Sequence, residues 1–190
     1  MDEEKKSETT AEEGGLAVSL YEWLQVMAGC LAVIVLTLLF VGRILFVDGP
    51  SMLPTLHNGD IMLVQELGYT PQQGDVVVLT QEFRNVDGPI VKRLIATGGQ
   101  TVDIDYTAGT VTVDGVVLDE PYINFEPMQT PWYEHQSSLT VPEGEVFVMG
   151  DNRNHSNDSR DVLLGTVDAR RLLGRAVFVA FPLEDFGRIR

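Results

Sequence analysis

The sequence predicts a mainly β, antiparallel domain carried behind one N-terminal transmembrane helix. Three observations predict it. A charge-free run of 20 residues, Trp23–Gly42, is long enough for a helix to cross the hydrocarbon of a bilayer. Beyond it, short β-branched runs recur between Gly and Pro turn signals. Only Val167–Leu173 suggests a helix in that part, so the strand–helix alternation of an α/β fold is missing.

Taken in order, residues 1–15 (MDEEKKSETTAEEGG) are polar, mostly acidic and without periodicity, and read as a disordered tail. Residues 16–47 read as the membrane anchor, because apolar character resumes after Arg43 in Ile44-Leu45-Phe46-Val47 and Tyr21 and Trp23 sit where interfacial aromatics are expected. A cleavable secretory leader wants a basic start and a shorter apolar core, whereas this tail is acidic. Met27-Ala28-Gly29-Cys30 has some likeness to a lipidation box, but the strongest apolar run follows Cys30. Lys5 and Lys6 on one side against Arg43 on the other give almost no charge asymmetry to orient the helix.

Residues 48–190 form the second part. Its strand-like runs are IMLVQEL, DVVVLTQ, IVKRLIA, TVDID, TVTV, VVLD, EVFVMG and RAVFVAF. Asp114-Gly115 between two of them suits the positive φ values of a type I′ hairpin turn. Residues 119–141, with Pro121, Pro127 and Pro131, read as a long irregular loop or small insertion.

Composition excludes several functions. A net charge of −15 argues against nucleic acid as a partner. One cysteine excludes an intrachain disulfide framework and multi-cysteine zinc sites, and three histidines disfavour a histidine-rich metal centre. No metal and no cofactor are expected.

Three segments carry chemistry. The chain has three lysines, and Lys92 is the only one after residue 6, whereas arginine occurs ten times. Lysine can lose its proton when desolvated and arginine effectively cannot, so a lone lysine in the apolar run Ile90–Ala96 is a candidate general base. The alternative is a strand-edge lysine whose charged end stays wet. Ser51 lies in Asp48-Gly49-Pro50-Ser51-Met52-Leu53-Pro54, where Gly and Pro stiffen the backbone around one hydroxyl. That suits a nucleophile, and it equally suits a simple turn at the membrane exit. Gly150–Arg160 is dense in short polar side chains and reads either as a locking hydrogen-bond network or as an ordinary surface loop. It lacks the spacing of an EF-hand.

Together, SMLPTL, GDIMLV, VKRLIATGGQTV and GDNRNHSNDSR, in this order behind an apolar anchor, resemble the bacterial type I signal peptidases. The resemblance implies an antiparallel β catalytic domain of the signal peptidase/LexA-like type and a Ser–Lys dyad. It implies a single-pass enzyme of the bacterial plasma membrane, with its catalytic domain on the extracytoplasmic face. Its partners would be secretory preproteins and the lipid bilayer, with cleavage after small Ala-x-Ala-like residues.

By the same resemblance Ser51 would be the nucleophile and Lys92 the base, and Ser156 would hydrogen-bond the Lys92 amine. Asp158 and Arg160 would belong to the supporting network, and Asp151 would pair with Arg93. Gly49 stands where some members place an oxyanion-binding serine, so backbone N–H groups near Gly49 and Ser51 would serve instead. Leu45, Val47, Met52, Leu56 and Val91 would line the substrate pockets. A Ser–His arrangement through His57 or His155 is the enzymatic rival. A catalytically silent, membrane-tethered β-domain that binds exported proteins is the rival from another class.

Overall fold

The computed structural model describes residues 19–36, 42–80, 88–123 and 126–189. The acidic tail therefore lies outside the described residues. The chain divides into two units, residues 1–41 and 42–190. In the first, helix α1 (Ser19–Leu36) is long and apolar enough to cross a membrane, and none of its length is buried against protein. Its 18 residues rise roughly 27 Å.

Among the described residues, the second unit is built from two antiparallel sheets. The larger runs β1 (Gly42–Phe46), β2 (Ile61–Gln65), β11 (Leu172–Phe181), β3 (Val76–Leu79), β4 (Ile90–Thr97), β9 (Glu145–Met149) and β10 (Val167–Asp168), with β12 (Gly187–Arg188) also paired to β11. The smaller runs β7 (Val116–Val117), β6 (Thr110–Val113), β5 (Thr101–Asp105) and β8 (Ser138–Thr140). Side chains on a strand alternate between faces, and the cores follow that period. Val76 and Val78 of β3 join one cluster with Met52, Leu56 and Val64, whereas Val77 joins a second with Leu94 and Val148. Phe147 and Met149 of β9 turn the other way, into a third cluster with Val102, Ile104 and Val111 of the smaller sheet. β3 is buried on both faces, which explains its unbroken run of Val and Leu.

The eight strand-like runs all fall on strands: four are trimmed at their ends, two match in full, and β4 and β11 run beyond theirs. The Asp114-Gly115 turn joins β6 to β7 with φ of 51° and 78°, both positive as a type I′ turn requires. Two expectations are corrected. Gly42–Phe46 is not anchor but strand β1, whose residues pair in register with β2 from Gly42↔Gln65 to Phe46↔Ile61. An apolar run with one charge fits an edge strand as well as a helix end, and the ladder decides. Val167–Leu173 is not a helix. Val167 pairs with Val146, Asp168 accepts from the Arg170 N–H to form a single 3-10 turn over Ala169–Arg171, and Leu172 opens β11. A seven-residue stretch has too few turns to hold a helix against strand pairing on both sides. Within 119–141 the described part is irregular up to β8, which pairs with β5.

Candidate active site

Ser51 opens a short run of turns between β1 and β2, held by Leu53 N–H to Pro50 O at 3.2 Å and Leu56 N–H to Met52 O at 2.9 Å. Met52 and Leu56 anchor this run in the core beneath it. Lys92 sits in the middle of β4, opposite Val77 of β3. The two meet: Lys92 Nζ lies 2.8 Å from Ser51 Oγ and donates to the Val91 carbonyl at 2.9 Å. Lys92 is only 5% exposed. Burial lowers its pKa from 10.5 to about 8, with Arg160 adding to the fall, while the carboxylates of Asp158 and Asp151 oppose it.

The Gly150–Arg160 loop, which follows β9, forms the network behind this pair. Arg160 and Asp158 pair at 2.7 and 2.8 Å, and Asp158 also accepts the Gly150 N–H at 3.0 Å. Burial alone would raise the Asp158 carboxyl, but the charge and hydrogen bonds of Arg160 outweigh it and hold the carboxyl below its ordinary value. Arg160 also donates to the Arg153 carbonyl at 2.7 Å. Arg93 forks onto Asp151 at 2.8 and 2.7 Å and lies over the Tyr122 ring, 3.7 Å from its centroid.

Three contacts bind this loop to the serine's turn. Asn152 donates from its backbone to Ser51 O at 3.0 Å and from its side chain to Pro50 O at 3.1 Å, and Thr55 Oγ1 donates to Asp151 at 2.5 Å. Sequence reasoning missed Asn152 and Thr55. Both lie inside the motifs it singled out, but nothing in composition marks which polar side chain reaches which carbonyl. Gly150 permits the close approach: a Cβ there would collide with the Ser156 side chain and lie 2.5 Å from Ser51 O.

Several expected placements differ. Lys92 makes no hydrogen bond to Ser156. The Ser156 Oγ meets no partner at hydrogen-bonding geometry, although it stands near enough to Asp158 to favour the charged carboxylate. The Gly49 N–H donates to Asn58 Oδ1 at 2.8 Å and is not free for an oxyanion. The Ser51 N–H has no acceptor among the described residues.

A cavity of about 270 Å³ opens beside the pair, walled by Phe46, Val47, Met52, Pro89, Ile90 and Val91, with Asp48 at its edge. Val47, Met52 and Val91, three of the residues expected to line a substrate pocket, are among its walls. Leu56 is 0% exposed in the core and Leu45 packs against that core, so neither reaches the cavity. Neither His57 nor His155 is hydrogen-bonded to Ser51, and the His57 ring instead lies 3.5 Å from Asp185.

Comparison with known proteins gives a consistent set of relatives. The family profile described as "Signal peptidase, peptidase S26" matches residues 20–181. A probable signal peptidase I-1 from Synechocystis sp. is 38% identical over 159 residues, covering 79% of this chain and 76% of that protein. A signal peptidase I from Bacillus licheniformis is 34% identical over 175 residues, covering 88% and 91%. Among solved structures, a signal peptidase I from Enterococcus faecalis is 32% identical, with a TM-score of 0.46 over 56% of this chain and 97% of that one.

Proposed function

We infer the reaction from one premise: the chain belongs to the signal peptidase family, peptidase S26, and is a serine endopeptidase that cleaves signal peptides from preproteins. Ser51 is the nucleophile and Lys92 its general base. The carrying observation is the 2.8 Å separation of Ser51 Oγ from a buried amine. In its neutral form that amine accepts the hydroxyl proton as Oγ attacks the scissile carbonyl. The uncommitted Ser51 N–H binds the oxyanion that forms. Lys92 then passes its proton to the departing amine, and water hydrolyses the acyl-serine by the same route in reverse.

Asp158 and Arg160, paired and buried, hold the loop behind the amine, and Asp151 with Arg93 holds the turn that carries Ser51. Gly49 shapes that turn through Asn58 rather than donating to substrate. Ser156, with a hydroxyl that has no other partner at hydrogen-bonding geometry, stands ready to accept from the Lys92 amine as it reorients. The apolar walls from Val47, Met52 and Val91 take small side chains and exclude bulky ones, which suits an Ala-x-Ala-like end. Helix α1 anchors the enzyme as a single-pass membrane protein. Its catalytic domain lies on the extracytoplasmic face of the bacterial plasma membrane, where exported preproteins present their cleavage sites. Sharing one bilayer with an apolar leader raises the effective concentration of the scissile bond.

The test is incubation of the purified protein with a preprotein, followed by sequencing of the new N-terminus. Cleavage after a small residue is expected, with Ser51→Ala and Lys92→Ala both inactive but folded by circular dichroism. Lys92→Arg is expected to be as inactive as Lys92→Ala, because a permanent cation cannot take a proton. Turnover by Lys92→Arg at the wild-type rate would show that Lys92 supplies only charge. Absence of cleavage by the wild type would favour the binding domain instead.

A further inference from the structure

We propose that His57, Asp60 and Asp185 form a site for one divalent transition-metal ion of the zinc class, separate from the catalytic pair. The three lie in two loops far apart in the chain: the turn between Ser51 and β2 supplies His57 and Asp60, and the β11–β12 turn supplies Asp185. One donor atom from each, an imidazole nitrogen and two carboxylate oxygens, lies within 4.8 Å of the others. His57 Nδ1 and Asp185 Oδ2 are already 3.5 Å apart. Two ligands about 2.0–2.1 Å from a tetrahedral zinc stand roughly 3.3 Å from each other. The remaining gap is within reach of side-chain rotation, since His57 and Asp185 are 50% and 31% exposed.

Asp60 is the second, independent observation. It is 1% exposed, and one of its oxygens accepts the His57 N–H at 2.8 Å. Its other oxygen has no donor among the described residues, and no lysine or arginine pairs with it there. The third member of the cluster, Asp185, adds a second carboxylate. That Asp60 oxygen keeps a trace of solvent access, and a carboxylate so little exposed beside a second one favours a cation. A divalent ion meets that need. One nitrogen and two oxygens form a borderline donor set that suits zinc, with a fourth position open to water. The backbone of Asp60 is fixed independently, since its carbonyl accepts from Val47 N–H at 2.8 Å, so the inner ligand is pre-positioned. Bound metal would cross-link the turn that carries the nucleophile to the β11–β12 turn.

The test uses the full-length protein in detergent, stripped with EDTA and titrated with zinc ion by calorimetry, with bound metal counted after desalting. The wild type is expected to retain one zinc per chain and to melt at higher temperature with it. His57→Ala and Asp185→Asn are each expected to weaken binding more than about 100-fold, beyond what loss of an outer partner costs. Both side chains are partly exposed, so their truncation leaves the core untouched, and an unchanged far-UV spectrum checks this. His135→Ala and His155→Ala are expected to bind as the wild type does. The proposal is overturned if the wild type keeps no stoichiometric zinc, or if His57→Ala and Asp185→Asn bind as tightly as the wild type. It is also overturned if binding follows His135 or His155 instead. Metal count and melting temperature decide it without reference to peptidase activity.

Discussion

An amine held in an apolar crevice is less stable as a cation than it would be in water, and Lys92 shows both sides of that bargain. With its pKa lowered to about 8 by burial, about a tenth of the amines are neutral at pH 7 and most are neutral at pH 9. The cleavage rate is therefore expected to rise with pH around a midpoint near 8. A rate that stays flat from pH 6 to 10 in a steady-state assay would remove Lys92 as base. The same shift weakens the fold. Between about pH 8 and 10.5 the unfolded chain keeps a proton that the folded chain has lost, so stability rises with pH across that window. Below it the cost is constant, on the order of 3 kcal/mol at pH 7. Lys92→Met, which keeps the stem and removes the charge, is expected to be inactive yet more stable at pH 7 in a urea melt, with the gain fading by pH 10.5. At this scale the sequence was legible where residue type marks a position: a lone lysine and a stiffened serine, which the structure brings to 2.8 Å. It was not legible where one bond decides, as with the Gly49 N–H taken by Asn58 or Leu56 turned wholly inward.

Between elements, the decisive contact joins the serine's turn to the loop after β9. Asn152, Thr55 and Asp151 tie the two together, and Gly150 lets them touch. Gly150→Ala is expected to push Ser51 and Ser156 apart. Overpacking of this kind costs about 1–3 kcal/mol. We expect kcat to fall at least tenfold and the melting temperature to drop; a variant with unchanged kcat would mean that the turn and the loop move independently. Strand positions could be read from period-2 alternation because the three core clusters use it. The two misread stretches are those where pattern is weakest. Val167–Leu173 mixes a 3-10 turn with the ends of two strands, and Gly42–Phe46 carries an apolar composition common to an anchor and an edge strand. Only ladder partners distant in sequence, Val146 and β2, resolve them. The His57–Asp60–Asp185 cluster was hidden for the same reason, since no local spacing links residues 60 and 185.

At the scale of the whole molecule, all three core clusters lie in residues 42–190, and none draws on helix α1. A fragment starting at Gly42 is expected to fold cooperatively and to cleave a short soluble peptide with the full-length kcat. It should act far more slowly on a preprotein inserted in vesicles, because the shared bilayer no longer concentrates the bond. A fragment that is unfolded by circular dichroism would show that the first unit is needed for the fold. Among the described residues β1 is the outer strand of the larger sheet, with Ile44 and Phe46 at 56% and 72% exposure, so association through this edge is expected on size exclusion. Every lysine but one lies among the first six residues, and the exception is the partly deprotonated amine beside the hydroxyl. A small acylating or arylating reagent applied near pH 8 therefore meets few competing nucleophiles of its kind on this chain. Modification at Lys92, seen as a single mass increment on one tryptic peptide, becomes a direct count of competent enzyme.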